Sequence, residues 1–222
     1  MKKYCCVVML VLFGFLIVFS SGCKKQSTEP SDSIETETTQ LPPHTRKPNI
    51  YIYPASIRSM SVKIVFPVGG TIIKSIPEYM DGWNITVTPN GRINNQFDYL
   101  FYESINPDMF QYSSGWVVKR DSLLQFFTNN LSRVGFYENE IYDFIEYWIP
   151  RLMERPYYII YPQFSDNINK VIRLSFSIEP DNVLRLFYVI KAANYSSIIL
   201  NTPIIPKFER KGFVVTEWGV VM

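Results

Sequence analysis

The chain has 222 residues, 47% hydrophobic, 16% aromatic and 19% charged, with 15 Pro, 10 Gly, 3 Cys and one His. That balance suits one or at most two globular domains and excludes a collagen-like, wholly disordered or disulfide-rich chain. Twenty-two Lys and Arg stand against 20 Asp and Glu, a formal net charge of +2, with no basic block that would grip nucleic acid. The single histidine, His44, lies in a Pro-rich stretch, so a histidine triad, a histidine general base and a multi-histidine metal site all lack their residues.

At the amino terminus Lys2 and Lys3 precede an apolar run over residues 4–19, followed by Ser20, Ser21, Gly22 and Cys23. This is the charged, apolar, small-residue order of an export signal. Small residues ending at a cysteine resemble the cleavage box of bacterial lipoproteins, with Ser20 where that pattern usually has Leu. The resemblance implies removal of residues 1–22 and acylation of Cys23, which makes the lipid bilayer of a bacterial cell envelope the first expected partner. An uncleaved membrane helix over residues 4–23 is the competing reading, since such a length just crosses ~30 Å of hydrocarbon. Cysteine use favours cleavage, because Cys5 and Cys6 would leave with the leader and the mature chain would hold no disulfide. One acyl chain binds only marginally, so a stable tether needs more than one.

Residues 24–46 shift to Gln, Ser, Thr, Glu and Pro, with Ile34 and Leu41 the only aliphatic residues. Such a segment cannot bury enough apolar surface to offset its ordering entropy. Together with Cys23 it reads as a disordered linker over 23–46, roughly 25 to 30 Å long as a coil and at most roughly 80 Å when stretched. Residues 47–222 remain as a single β-rich globular domain.

Within that domain, β-rich runs are expected at 49–53, 61–66, 71–76, 83–88, 92–97 and 99–102, punctuated by Gly69-Gly70, Asp81-Gly82 and Pro89-Asn90-Gly91. A short run at 116–118 leads to Asp121, placed to cap a helix whose Leu123, Leu124, Phe127, Leu131 and Val134 share a face, with Gly135 as its stop. A second helix is predicted over 138–148, with Pro150 bending or ending it. The short link through Gly135 suggests an antiparallel helical pair inserted in the sheet.

Farther on, Ile172, Leu174, Phe176 and Ile178 alternate with Arg173, Ser175 and Ser177, as in a strand with one buried face. Residues 183–190 are apolar on both faces except Arg185, as in a central strand. An odd Pro180-Asp181-Asn182 loop, with Asn182 left-handed, is expected to join the two as a hairpin and to put Arg173 and Arg185 on one face. Strands at 214–218 and 197–200 complete an α+β domain, mainly antiparallel sheet and sandwich-like.

Chemistry is sparsely signalled. The P-loop, dinucleotide, nucleophile-elbow and zinc-protease motifs are all missing, and no cofactor or metal is expected. Glu140, Asp143 and Glu146 form a stripe on the second helix, read as a solvated face in preference to a cation site. Arg173 and Arg185 would suit an anionic ligand or, preferred, structural pairs with carboxylates. Glu103 and Glu217, the latter beside Trp218, are the acids most embedded in apolar sequence; they are candidates for paired-carboxylate hydrolysis or for ion pairs with Arg151 or Arg185. Tyr51, Tyr53, Trp83, Trp116, Tyr157, Tyr158 and Tyr161 are either stacking residues or core.

The run Lys47-Pro48-Asn49-Ile50-Tyr51-Ile52-Tyr53-Pro54 resembles the K-P-x-I-Y-L-Y-P opening of a family of secreted or lipoprotein-type proteins with no assigned activity, found in bacteria and fungi. Further marks follow in order: Tyr99-Leu100-Phe101-Tyr102-Glu103, Gly115-Trp116-Val117-Val118, Tyr147-Trp148-Ile149-Pro150-Arg151, Glu209-Arg210-Lys211-Gly212-Phe213 and Glu217-Trp218-Gly219. The resemblance implies a single domain and adds no mechanism. Its polar residues, Glu103, Arg151, Arg210 and Glu217, together with Arg185 and Trp218, are the candidate binding residues. The leading expectation is a lipid-anchored envelope lipoprotein that binds glycan or envelope protein without catalysis. A carboxylate hydrolase using Glu103 and Glu217 on an envelope polymer, and a structural scaffold, are the alternatives.

Overall fold

A computed structural model describes residues 43–222; the expected leader, Cys23 and most of the linker lie outside them. In chain order come β1 (His44–Tyr53), β2 (Arg58–Val65), β3 (Thr71–Ile76), β4 (Trp83–Val87), β5 (Leu100–Ile105) and β6 (Trp116–Lys119). Helices α1 (Leu123–Val134) and α2 (Glu138–Trp148) follow, then β7 (Tyr157–Phe164), the short α3 (Ser165–Val171), β8 (Arg173–Phe176), β9 (Asn182–Ala193) and β10 (Val214–Val221). Seven strands form a mixed, mostly antiparallel sheet in the order β3-β5-β1-β10-β9-β7-β6, and β4-β2-β8 form a second sheet. The expected α+β class is the observed one.

Strand β9 shows how the layers stack. Leu184, Leu186, Tyr188 and Ile190 pack with the buried stripes of α1 and α2, whereas Phe187 and Val189 pack with Val62, Ile85 and Phe176 of the small sheet. Successive strand residues point to opposite faces, so a strand apolar on both must lie between two other layers. Helices α1 and α2 cover one face of the large sheet, and the small sheet, with Ile168 and Val171 of α3, covers the other. Gly135, at φ +118°, ends α1 in the left-handed conformation as expected, and α2 packs on α1 through Phe127 and Phe144.

Several expectations are corrected. β8 and β9 form no hairpin: β8 pairs with β2, while β9 runs antiparallel to β7 and parallel to β10. A strand with one polar face suits the edge of the small sheet, whereas a two-faced apolar strand needs the middle layer between the helices and the small sheet. Asn182 is not left-handed; it opens β9 and its side-chain amide donates to the Lys211 carbonyl at 2.7 Å. Arg173 and Arg185 therefore sit in different sheets. Residues 92–97 form a tight loop, with Asn94 and Asn95 at positive φ and the Asn94 side chain accepting from the Thr86 amide. Asp121 does not cap α1; it lies in a 3-10 turn and pairs with Lys119 and Arg120, and Leu124, expected on the buried face of α1, is exposed.

Residues 197–200 are not a strand. They belong to the connection 194–213, which a parallel β9–β10 pair requires because its strands cannot be joined by a tight turn. This connection touches the backbone before β6, where the Gly115 amide donates to the Asn201 carbonyl. β1 begins three residues before the expected domain boundary: Thr45 and Arg46 pair with Val221 and Val220. Thr45 is fully buried, its hydroxyl donating to Asn106 at 2.9 Å.

The centre of the large sheet holds an ion pair. Arg185 and Glu217 are register partners across β9 and β10, 2.5 Å apart, and their side chains are 2% and 0% exposed. Tyr102 donates to the second oxygen of Glu217 at 2.9 Å, and Arg185 also reaches Asn169 and the Ile172 carbonyl, both at 2.6 Å. Removing one partner leaves an uncompensated buried charge. Glu217→Ala should therefore cost about 3 to 5 kcal/mol in chemical denaturation, and Arg185→Met combined with Glu217→Leu should recover most of that loss.

Candidate functional site

The site begins with a proline in a central strand. Pro48 has no N–H for the ladder, and β1 lies between β5 and β10, so the pairing must break locally. Arg46 is opposite Val220 and Asn49 is opposite Trp218, which leaves Lys47 and Pro48 facing Gly219 alone, a β-bulge. A side chain at Gly219 would meet Phe187 at 3.0 Å and Pro48 at 3.3 Å, so glycine makes room for the bulge. Lys47 takes a left-handed φ of 52°, which costs a residue with a Cβ about 1 to 2 kcal/mol.

The bulge delivers the Lys47 side chain to the helix-covered side of the sheet. Its ammonium lies 4.7 Å from the ring centre of Phe101, 4.9 Å from that of Tyr99 and 5.4 Å from that of Tyr147, and it donates to the Tyr99 hydroxyl at 3.2 Å. A cavity of about 300 Å³ opens over these groups, with Lys74 and Glu103 on its wall. A second lobe of about 250 Å³ shares Lys47, Tyr99 and Tyr147 and adds Asp143, Glu146 and Arg151. Through these shared residues the two cavities adjoin as a groove beside α2 and the β3-β5-β1 side of the large sheet.

Charge in the groove is unevenly satisfied. Asp98 pairs with Arg92, Asp143 accepts the Tyr51 hydroxyl at 2.8 Å, and Glu103 lies 3.7 Å from His44 and opposite Lys74 across β3 and β5. Burial, and then Arg46, hold His44 below its usual pKa against the pull of Glu103. Among the described residues, Lys47, Lys74 and Arg151 have no carboxylate within 4.0 Å. Arg151 lies on the Tyr147 ring, its guanidinium carbon 3.8 Å from the centre, and donates to the Tyr147 carbonyl at 2.6 Å. Burial depresses the Lys47 pKa below the ordinary lysine value, although Tyr147, Asp143 and Glu103 oppose it. Burial raises Asp143 above the usual carboxylate range, against the Tyr51 bond and Lys47.

The six candidate binding residues separate into two groups. Glu103 and Arg151 line the groove. Arg185 and Glu217 form the closed pair described above. Arg210 grips Glu140 with two hydrogen bonds of 2.9 Å, and fully buried Trp218 donates its indole N–H to the Glu140 carbonyl at 2.9 Å. Glu140 also accepts from Thr216 at 2.6 Å and from the Tyr137 amide at 2.7 Å. The expected solvated stripe on α2 is therefore corrected: Glu140 is wholly buried, Asp143 is half-buried, and only Glu146 is exposed. An acid in the first turn of a helix meets unpaired backbone N–H groups and the positive end of the dipole, which together with Arg210 accounts for its burial.

Glu103 and Glu217 do not form a catalytic pair. Tyr102 points to the Glu217 side of the sheet, so its neighbour Glu103 points to the other, and Glu217 has no exposure. Paired-carboxylate hydrolysis needs both groups across one accessible cleft.

Comparison with known protein families, curated proteins and solved structures found no match.

Sequence reasoning missed Lys47, Tyr99 and Tyr147 as site residues, although each stands in a quoted motif segment. From sequence Lys47-Pro48 lies just before the expected run 49–53, where proline needs no bulge; the pairing of Thr45 and Arg46 with β10 is what places it inside a strand. The seven aromatic residues singled out instead are buried or half-buried on the strands. If Lys47 is held left-handed for its ammonium, Lys47→Gly relieves strain while losing cation–π contacts of comparable size. Its free energy of unfolding in denaturant should stay within about 1 kcal/mol of the parent.

Proposed function

We propose that this protein is a lipid-anchored cell-envelope module that binds an envelope component, without catalysis, in the groove around Lys47. One observation carries the binding reading: a desolvated ammonium held among three aromatic rings at an open cavity, with no carboxylate within 4.0 Å among the described residues. A purely architectural domain has no need to hold a strained, half-buried lysine beside open space, and local strain of this kind concentrates at functional sites.

The anchor reading rests on the order Lys2-Lys3, apolar run, Ser20-Ser21-Gly22-Cys23. Acylation there would place the bilayer within linker reach of the domain, roughly 80 Å at most. The membrane partner and the groove ligand are then separate: the lipids hold the protein in place and the groove does the binding.

Two measurements test these readings. Cys23→Ser should move the protein from the membrane pellet to the soluble fraction, and the intact mass of the parent should correspond to a chain starting at acylated Cys23. A retained Met1 without lipid overturns the anchor. For binding, the detergent-solubilised full chain should cosediment with isolated envelope polysaccharide or an envelope protein. Tyr147→Ala and Lys47→Gly should each weaken that about tenfold, and equal recovery with both variants overturns the groove as the site.

A further inference from the structure

The groove chemistry narrows the ligand class. An ammonium has three donors, and Lys47 places one on the Tyr99 hydroxyl, leaving two for an acceptor. Arg151 has five N–H donors; among the described residues its hydrogen bond is a single one, to the Tyr147 carbonyl. Both cations lie against one ring, that of Tyr147. The surrounding carboxylates, Glu103, Asp143 and Glu146, are acceptors that suit hydroxyl donors, and they would repel a dianion such as phosphate. Tyr99 and Tyr147 offer apolar faces with polar tips, and the cavity of about 300 Å³ is at the small end of ligand pockets.

Resting on the reading of this groove as a binding site, we propose that it takes a carboxylated saccharide, with the carboxylate on the Lys47 ammonium, the hydroxyls on the groove carboxylates and Arg151, and a sugar face on the Tyr99–Tyr147 wall. Lys47 supplies the ammonium set against the ring wall, Lys74 and Arg151 are the other cations of the groove, and Glu103, Asp143 and Glu146 disfavour a second negative charge on the ligand. The carboxylate binds the protonated amine, so affinity falls as pH rises through the Lys47 pKa. That fall comes below the ordinary lysine value of 10.5, because burial together with Lys74 of β3 outweighs Tyr147 and Asp143 of α2 and Glu103 of β5.

The test uses the full chain in detergent and isothermal titration with three probes: a glucuronate-containing disaccharide, its glucose counterpart and inorganic phosphate. The uronate should bind about tenfold more tightly than the neutral sugar, and Lys47→Met should erase that preference. Lys47→Gly, which relieves the backbone strain, guards against misfolding of the Met variant, and each variant's denaturation midpoint is compared with the parent. Tyr147→Ala should weaken both sugars. If the two sugars bind equally and Tyr147→Ala weakens both, the groove is a binding site but the carboxylate assignment is overturned. Tighter binding of phosphate than of uronate overturns it as well. If no probe binds, the saccharide class is overturned, while the cosedimentation of the Tyr147 and Lys47 variants separately decides whether the groove binds at all.

Discussion

Arg185 and Glu217 meet where β9 and β10 run parallel, out of contact with water, and the large sheet is registered around them. Their pairing fixes which residues face each other along the parallel strands. A shift by one residue would send either charge to the opposite face, into the apolar layer of Leu186, Phe144 and Trp218. A buried charge pair contributes little net stability against apolar residues of equal volume, yet separating it is costly. Such a pair therefore acts mainly by excluding wrong registers. Tyr102, reaching Glu217 from β5 across β1, carries the same constraint to the half of the sheet that bears the groove.

With β10 fixed, the bulge in β1 follows. Trp218 must face α2 and Glu217 must face the small sheet, so Gly219 is the residue left opposite Lys47 and Pro48. The missing N–H of Pro48 and the missing side chain of Gly219 solve the same steric problem from opposite strands. The left-handed Lys47 is the outcome, its ammonium aimed at the rings of Tyr99, Phe101 and Tyr147. On the same side, Glu140 joins α2 to Arg210 and Trp218, which holds the Tyr147 wall of the groove against the sheet. The polar residues thus divide by role: Arg185, Glu217, Glu140 and Arg210 are used up in closed contacts, whereas Lys47, Lys74 and Arg151 are left facing an open groove.

Much of the scaffold was legible locally. β-rich runs between turn residues marked β2, β3 and β4, alternation marked β8, the apolar stripes marked α1 and α2, and Gly135 marked the end of α1. The central position of β9 followed from its two apolar faces. What failed was partner choice. Adjacency and an odd loop argued for a β8–β9 hairpin, but burial of both β9 faces, by α1 and α2 on one side and the small sheet on the other, keeps β9 in the middle of the large sheet between β7 and β10. The connection 194–213, polar and irregular in sequence, carries the crossover that makes the parallel pair possible. Glu140 was misread for a similar reason: its helical phase put it opposite the apolar stripe, and Arg210, seventy residues away, brings that face inside.

The sequence by itself determined the composition-level facts: an α+β body rich in sheet, an amino terminus patterned like an export signal, and no histidine cluster. These are properties of neighbouring residues, where backbone geometry and periodicity act directly. Only the tertiary structure decided which charges are neutralised and which remain open, because the pairs Arg185 with Glu217 and Arg210 with Glu140 are 32 and 70 residues apart. Whether a carboxylate is a structural partner or a ligand contact depends on what lies across from it, and that is set by long-range pairing and burial. Lys47 is where the two levels meet: a local proline makes the bulge, and distant rings give the amine its setting.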